Sequence, residues 1–168
     1  MNRNNLKIII MIVLLFILCI IPDSAYCQND LSKFEKFVGK KWIGHFQNSE
    51  DSLLVHTIEW EYDLNNNVVI EIKSVPEVDF YCETYYYWDF EPDQISYLSL
   101  MNKKMISKGM AIFDNGKLKL SGKTFFPDGV QENKKTYVIN EARKLEDRFY
   151  RKSKSKWIMG HFIQYSEQ

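Results

Sequence analysis

Three histidines and a few acidic residues are the groups in this chain that could move a proton or hold a metal. An imidazole beside a carboxylate is a common proton-transfer pair near neutral pH. His56 alternates with Ile58, Trp60 and Tyr62 on one strand face, and His161 with Trp157, Met159, Ile163 and Tyr165. Both imidazoles are therefore expected to point inward, whereas the pattern assigns no face to His45. Asp147 alternates with Leu145 and Phe149, which turns it inward too. A buried carboxylate needs a partner, here a tyrosine, an arginine or His161. Asp147 or Glu83 with His161 could do acid–base chemistry, and His161 alone could act as a general base or an axial haem ligand. The plainer reading of each is structural: a hydrogen-bonded histidine and a paired core carboxylate. Glu59, Glu61 and Glu71 lie opposite apolar residues and read as solvated exterior. Cys82 reads as a small buried residue.

No phosphate-cradling glycine loop, Cys-x-x-Cys, His-Glu-x-x-His or Gly-x-Ser-x-Gly occurs in the sequence. Nucleotide, zinc and serine-hydrolase chemistry therefore lacks its usual residue patterns, and no cofactor or metal is assigned. The chain is instead rich in aromatics, at 15% Phe, Trp and Tyr. Residues 80–90 carry them on both faces, Tyr81, Tyr85 and Tyr87 against Phe80, Tyr86, Trp88 and Phe90. Tyrosine and tryptophan bury large area while keeping a polar end, which suits an amphiphilic pocket. Aromatics are equally ordinary strand formers, and a covered outer face would also explain them. The expected pocket lining is Trp60, Tyr62, Tyr86, Trp88, Met159 and His161, with the small residues Ser107, Gly109 and Ala111 leaving room inside.

These side chains need strands to hold them. Residues 30–38 place Leu31, Phe34, Phe37 and Val38 on one helical face, with Asp30 as N-cap and Gly39 as stop. One or two turns cannot persist alone, so this helix must pack on the end of something larger. From residue 39 the period becomes that of strands. Segments are expected at 39–46, 56–63, 68–73, 80–90, 95–101, 105–113, 117–125, 135–140, 144–152 and 156–165. Leu64-Asn65-Asn66-Asn67, Asp114-Asn115-Gly116 and Pro127-Asp128-Gly129 are turns. The inward faces expected for the second hairpin strand are Val68, Ile70 and Ile72. Glu91-Pro92-Asp93 ends the aromatic strand. Short connections throughout favour closure into an all-β, antiparallel up-and-down barrel of eight to ten strands with a short N-terminal capping helix.

A short helix, the stretch Gly39-Lys40-Lys41-Trp42 and a strand meander resemble the lipocalin-like (calycin) barrels. The likeness covers residues 28–168 and is nearest to the bacterial secreted lipocalin-like families of unknown function, which open on a "VGxWxG" strand. Here one extra lysine separates glycine from tryptophan. The resemblance implies a ligand-holding barrel, Trp42 closing one end, and a late basic residue, Arg148 or Arg151, packed over that tryptophan. Haem-binding barrels of the nitrobindin type also open on a glycine–tryptophan strand, and His161 resembles their late ligand histidine.

Residues 1–27 have the layout of a secretory signal peptide: Arg3 and Lys7, the apolar run 8–21, then Pro22, Ser24 and Ala25. The run is shorter than the ~20 residues of a spanning helix. Cleavage is expected after Cys27, leaving Gln28 first; Tyr26 and Leu18 argue against lipid anchoring at Cys27 or Cys19. Removal takes Arg3, Lys7 and Asp23, so the remaining chain carries a net charge of −1. It also leaves Cys82 without a disulfide partner. Interspersed charge of both signs argues against nucleic acid. The expectation is a secreted or periplasmic protein, monomer or weak dimer, without a transmembrane helix. It would bind a small hydrophobic or amphiphilic ligand. A His161 enzyme and a protein-interaction module with an aromatic outer face are the alternatives.

Overall fold

The structure, a computed structural model, describes residues 30–47, 53–91 and 93–168. The expected signal segment 1–27, the Asp30 side chain and Pro92 lie outside the described residues. Ten antiparallel strands close on themselves: β1 Lys41–Phe46, β2 His56–Asp63, β3 Val68–Val75, β4 Phe80–Asp89, β5 Gln94–Met101, β6 Met105–Asp114, β7 Lys117–Phe126, β8 Gly129–Ile139, β9 Leu145–Ser153 and β10 Lys156–Glu167. Each strand pairs with its neighbour in sequence, and β1 pairs β10 to complete the barrel, so no edge is left bare. Among the described residues no helix is long and apolar enough to cross a membrane.

Turn chemistry sets the hairpins. Asp114 pairs Lys117, and Asn115 and Gly116 between them both have positive φ, as a two-residue turn matched to strand twist requires. Gly109 faces Gly122 across β6 and β7, and a Cβ on Gly122 would lie 2.6 Å from the Tyr97 hydroxyl. Of the small stripe on β6, Gly109 is opposite Tyr97, while Ser107 faces open space inside the barrel.

One end of the barrel is plugged. A 3₁₀ helix, Asp30–Phe34, runs on through turns to Gly39, whose N–H donates to the Trp60 carbonyl at 2.9 Å. Leu31, Phe34 and Phe37 insert between the strands with Trp42 and Trp60, all buried. Phe37 lies 5.2 Å from the Trp60 ring and Phe34 4.8 Å from Tyr86. The basic group over Trp42 is Lys40, 5.6 Å from the ring, and not a late arginine. Arg148 lies over Phe162 and pairs with Glu146, while Arg151 is exposed. A lysine next to the strand start reaches the plug end directly, so the extra residue in Gly39-Lys40-Lys41-Trp42 supplies the contact.

Two faces differ from expectation. On β3 the interior takes Val69, Glu71, Lys73 and Val75, while Val68, Ile70 and Ile72 face out. The register explains this. Trp60 is directly opposite Glu71 and Ile58 opposite Lys73, and residues opposite each other share a face. On β10 the pairing shifts between Met159 and His161, so residues before Gly160 change sides. Strand β8 also begins at Gly129, earlier than the expected residue 135, which brings Asn133 inside.

Candidate functional site

At the end away from the plug, the barrel holds a cavity of about 660 Å³. Its mouth is mainly apolar, formed by Leu54, Val78, Phe80, Met101, Met105 and Phe126 from the strand ends and loops, with one charged residue, Lys103, paired to Asp79 at 3.2 Å. Its floor is not. Glu71, Lys73, Lys135, His56 and His161 reach it from β2, β3, β8 and β10. Along one wall stand Thr84, Ser99, Ser107, Thr124 and Asn133 from β4 to β8.

The floor is an ion-pair network that spans the barrel. Lys73 donates to Asp147 Oδ2 at 2.5 Å, and both side chains are buried, Asp147 completely. Glu71, 1% exposed, accepts from the Tyr137 hydroxyl at 2.5 Å and the Tyr86 hydroxyl at 2.6 Å. The Lys135 ammonium stands between the two acids, 3.5 Å from Glu71 Oε1 and 3.7 Å from Asp147 Oδ2. Burial by itself would raise the Asp147 carboxyl, but Lys135 and Lys73 outweigh it and hold the acid well below its ordinary range. Burial likewise acts to lower Lys73, and the charges of Asp147 and Glu71 overcome it and raise the ammonium. Asp147 thus faces inward and is paired, with lysines as its main partners. His161 Nε2 lies 3.6 Å from Asp147 Oδ2, an oxygen already committed to Lys73.

The two inward histidines are neutral for the same physical reason. Burial lowers His161, offset in part by Asp147. Burial also lowers His56, helped by Lys73, His161 and His45 and opposed by Asp147, to about 3. Phe46 packs edge-on against His56 at 4.4 Å, and Phe149 stacks on His161 at 5.1 Å. A histidine held neutral in the folded state while the unfolded chain titrates near 6.5 gives stability that is complete above that pH and lost below it. His56 alone should withdraw about 2 kcal/mol between pH ~6.5 and ~4.5. Urea midpoints measured across that range should fall in the natural protein and flatten in His56→Phe.

The other sequence-predicted residues separate. His161 lines the cavity. Trp60, Tyr62, Tyr86 and Trp88 are on inward faces but at the plugged end: Trp60 and Tyr86 pack on Phe37 and Phe34, and Tyr62 donates to the Leu31 carbonyl at 3.2 Å. They support the floor from beneath and do not touch the cavity. Met159 is a correction: the β10 shift puts it opposite Tyr150 on the outer surface, 50% exposed. Glu83 is also outside, accepting from the Tyr81 and Tyr85 hydroxyls at 2.7 and 2.5 Å, so it cannot serve His161. Glu71 moves from the expected exterior to the floor. Residues that alternation overlooked are Glu71, Lys73, Lys135 and Asn133. The signal for the first two was present, since a four-residue turn pairing Asp63 with Val68 forces Glu71 to the side of Trp60.

No family model matches this chain, and no curated protein matches it. Function has to be argued from the site itself. Among the described residues no group of three or more His, Cys, Asp or Glu side chains gathers as a metal site would require. The floor offers charge-paired and neutral hydrogen-bonding groups at the end of an apolar entrance. That arrangement can bind and orient a molecule with one polar end.

Proposed function

We propose that this protein is a lipocalin-like binding barrel, secreted or periplasmic, for a small amphiphilic molecule that enters polar end first. The observation that carries this is the cavity of about 660 Å³ with an apolar mouth and a polar floor. Its volume falls within the range of small-molecule sites, roughly 300–1,000 Å³. Apolar surface at the mouth supplies affinity by its removal from water, and floor groups reward a head that hydrogen-bonds. The compartment is argued from the basic, apolar and small-residue layout of residues 1–27.

The test is titration with the lipophilic fluorophore N-phenylnaphthylamine, followed by displacement with extracted lipid. Met105 is half-buried at the mouth, so Met105→Trp fills the entrance without disturbing the core. It should weaken probe binding at least tenfold at an unchanged melting temperature. Equal binding by this variant would place the probe elsewhere. Hemin added to the same protein separates the haem alternative: a Soret shift abolished by His161→Ala would replace the amphiphile reading.

A further inference from the structure

The floor of the cavity has spent its charges on itself. Two carboxylates, Glu71 and Asp147, are matched by two ammonium groups, Lys73 and Lys135. Both Glu71 oxygens accept from tyrosine hydroxyls, and Lys73 is committed to Asp147. Lys135 is shared between the acids. Asp147 Oδ1 has no hydrogen-bond partner among the described residues, but Asp147 is not part of the cavity wall.

What remains unspent is uncharged. His56 lines the cavity, is 5% exposed, and neither ring nitrogen has a partner among the described residues. A neutral imidazole presents one N–H donor and one lone pair. A buried polar group left without a partner is costly, so this ring is a standing demand for a donor–acceptor ligand. The hydroxyl wall makes the same demand. Thr84 and Ser99 bond each other at 2.9 Å, and Asn133 donates to Thr124 at 2.6 Å, which still leaves lone pairs on the hydroxyls.

We propose that the cavity selects an uncharged headgroup bearing hydroxyl or amide groups over an anionic or a cationic one, with His56 as a recognition residue. This rests on the binding function proposed above. A carboxylate head would add charge to a balanced floor and meet no uncommitted cation there. An ammonium head would meet Glu71, whose charge is already answered by Lys135 and whose two oxygens each accept from a tyrosine hydroxyl. Both would lose their water without a charge to replace it. A glycerol or amide head can instead donate to and accept from His56 and the wall.

Three probes with the same decyl chain test this by calorimetry at pH 8, below their micelle concentrations: decylglycerol ether, decanoic acid and decylamine. The glycerol ether should bind at least tenfold more tightly than either ion. His56→Phe should erase most of that advantage, and Ser99→Ala, a milder change on the hydroxyl wall, should reduce it about threefold. Decanoic acid or decylamine binding as tightly as the ether overturns the headgroup inference alone, as does an advantage that survives in both variants. Failure of all three probes and of the fluorophore to bind overturns the binding function and this inference with it.

Discussion

Replacing Lys73 with methionine is expected to cost roughly 3–5 kcal/mol of unfolding free energy, as removal of one partner of a buried ion pair generally does. The ammonium is 2.5 Å from Asp147 Oδ2, and the acid is fully buried. Without it Asp147 retains, among the described residues, Lys135 at 3.7 Å and His161 at 3.6 Å. The double variant Lys73→Met/Asp147→Leu should recover most of the loss, because an apolar pair of similar volume needs no desolvated charge. Urea unfolding of both single variants and the double variant closes the cycle, and losses that simply add would show that the pair is not coupled. The pair also has a defined pH window. The folded Asp147 carboxyl lies below its unfolded value, so its contribution is present above about pH 4 and lost as pH falls through the folded value. Lys73 is raised, so its contribution is present below about pH 10 and lost only as pH rises through the folded value. Across the neutral range the pair is intact, and the acid loss begins with the histidines.

Trp42→Ala should cost a similar amount, ~3–5 kcal/mol, through the cavity left by a buried aromatic. Trp42 is fully buried in the cluster that holds Leu31, Phe34, Phe37 and Trp60. None of these residues touches the cavity at the other end. The fluorophore should therefore bind the folded variant with unchanged affinity, and Trp42→Phe should lie between the two in stability. If binding is lost in Trp42→Phe while the melting temperature holds, plug and cavity are coupled and the division of the barrel into two ends is wrong. Trp60→Ala is not a useful binding test for the same reason, since the indole packs on Phe37 of the plug.

Tyr81 and Tyr87 are exposed on the outer face of β4, with Tyr85 half-buried between them. The Tyr81 and Tyr85 hydroxyls converge on Glu83, which gives this aromatic face a carboxylate at its centre.

Alternation, turn residues and one helical stripe were enough to derive an all-β meander with a plugged end. His56, Ile58 and Trp60 face inward as read, because β2 is apolar on one side only. The inward placement of Asp147 followed from Leu145 and Phe149 in the same way. Where a strand offered apolar residues on both faces, alternation lost its power. Val68, Ile70 and Ile72 looked like the core of β3, yet the barrel chose Glu71 and Lys73, because the partner strand fixes register and a buried charge is tolerable only when its counter-charge arrives from elsewhere. Lys135 and Asp147 come from β8 and β9, far along the chain, and no local pattern announces such a meeting. A single shift beside Gly160 likewise turned Met159 outward while leaving His161 within. Periodicity is a property of one strand, so it specified strands, turns and the plug. The cavity floor is a property of four strands at once, and only closure of the barrel decided which of their polar groups would face one another.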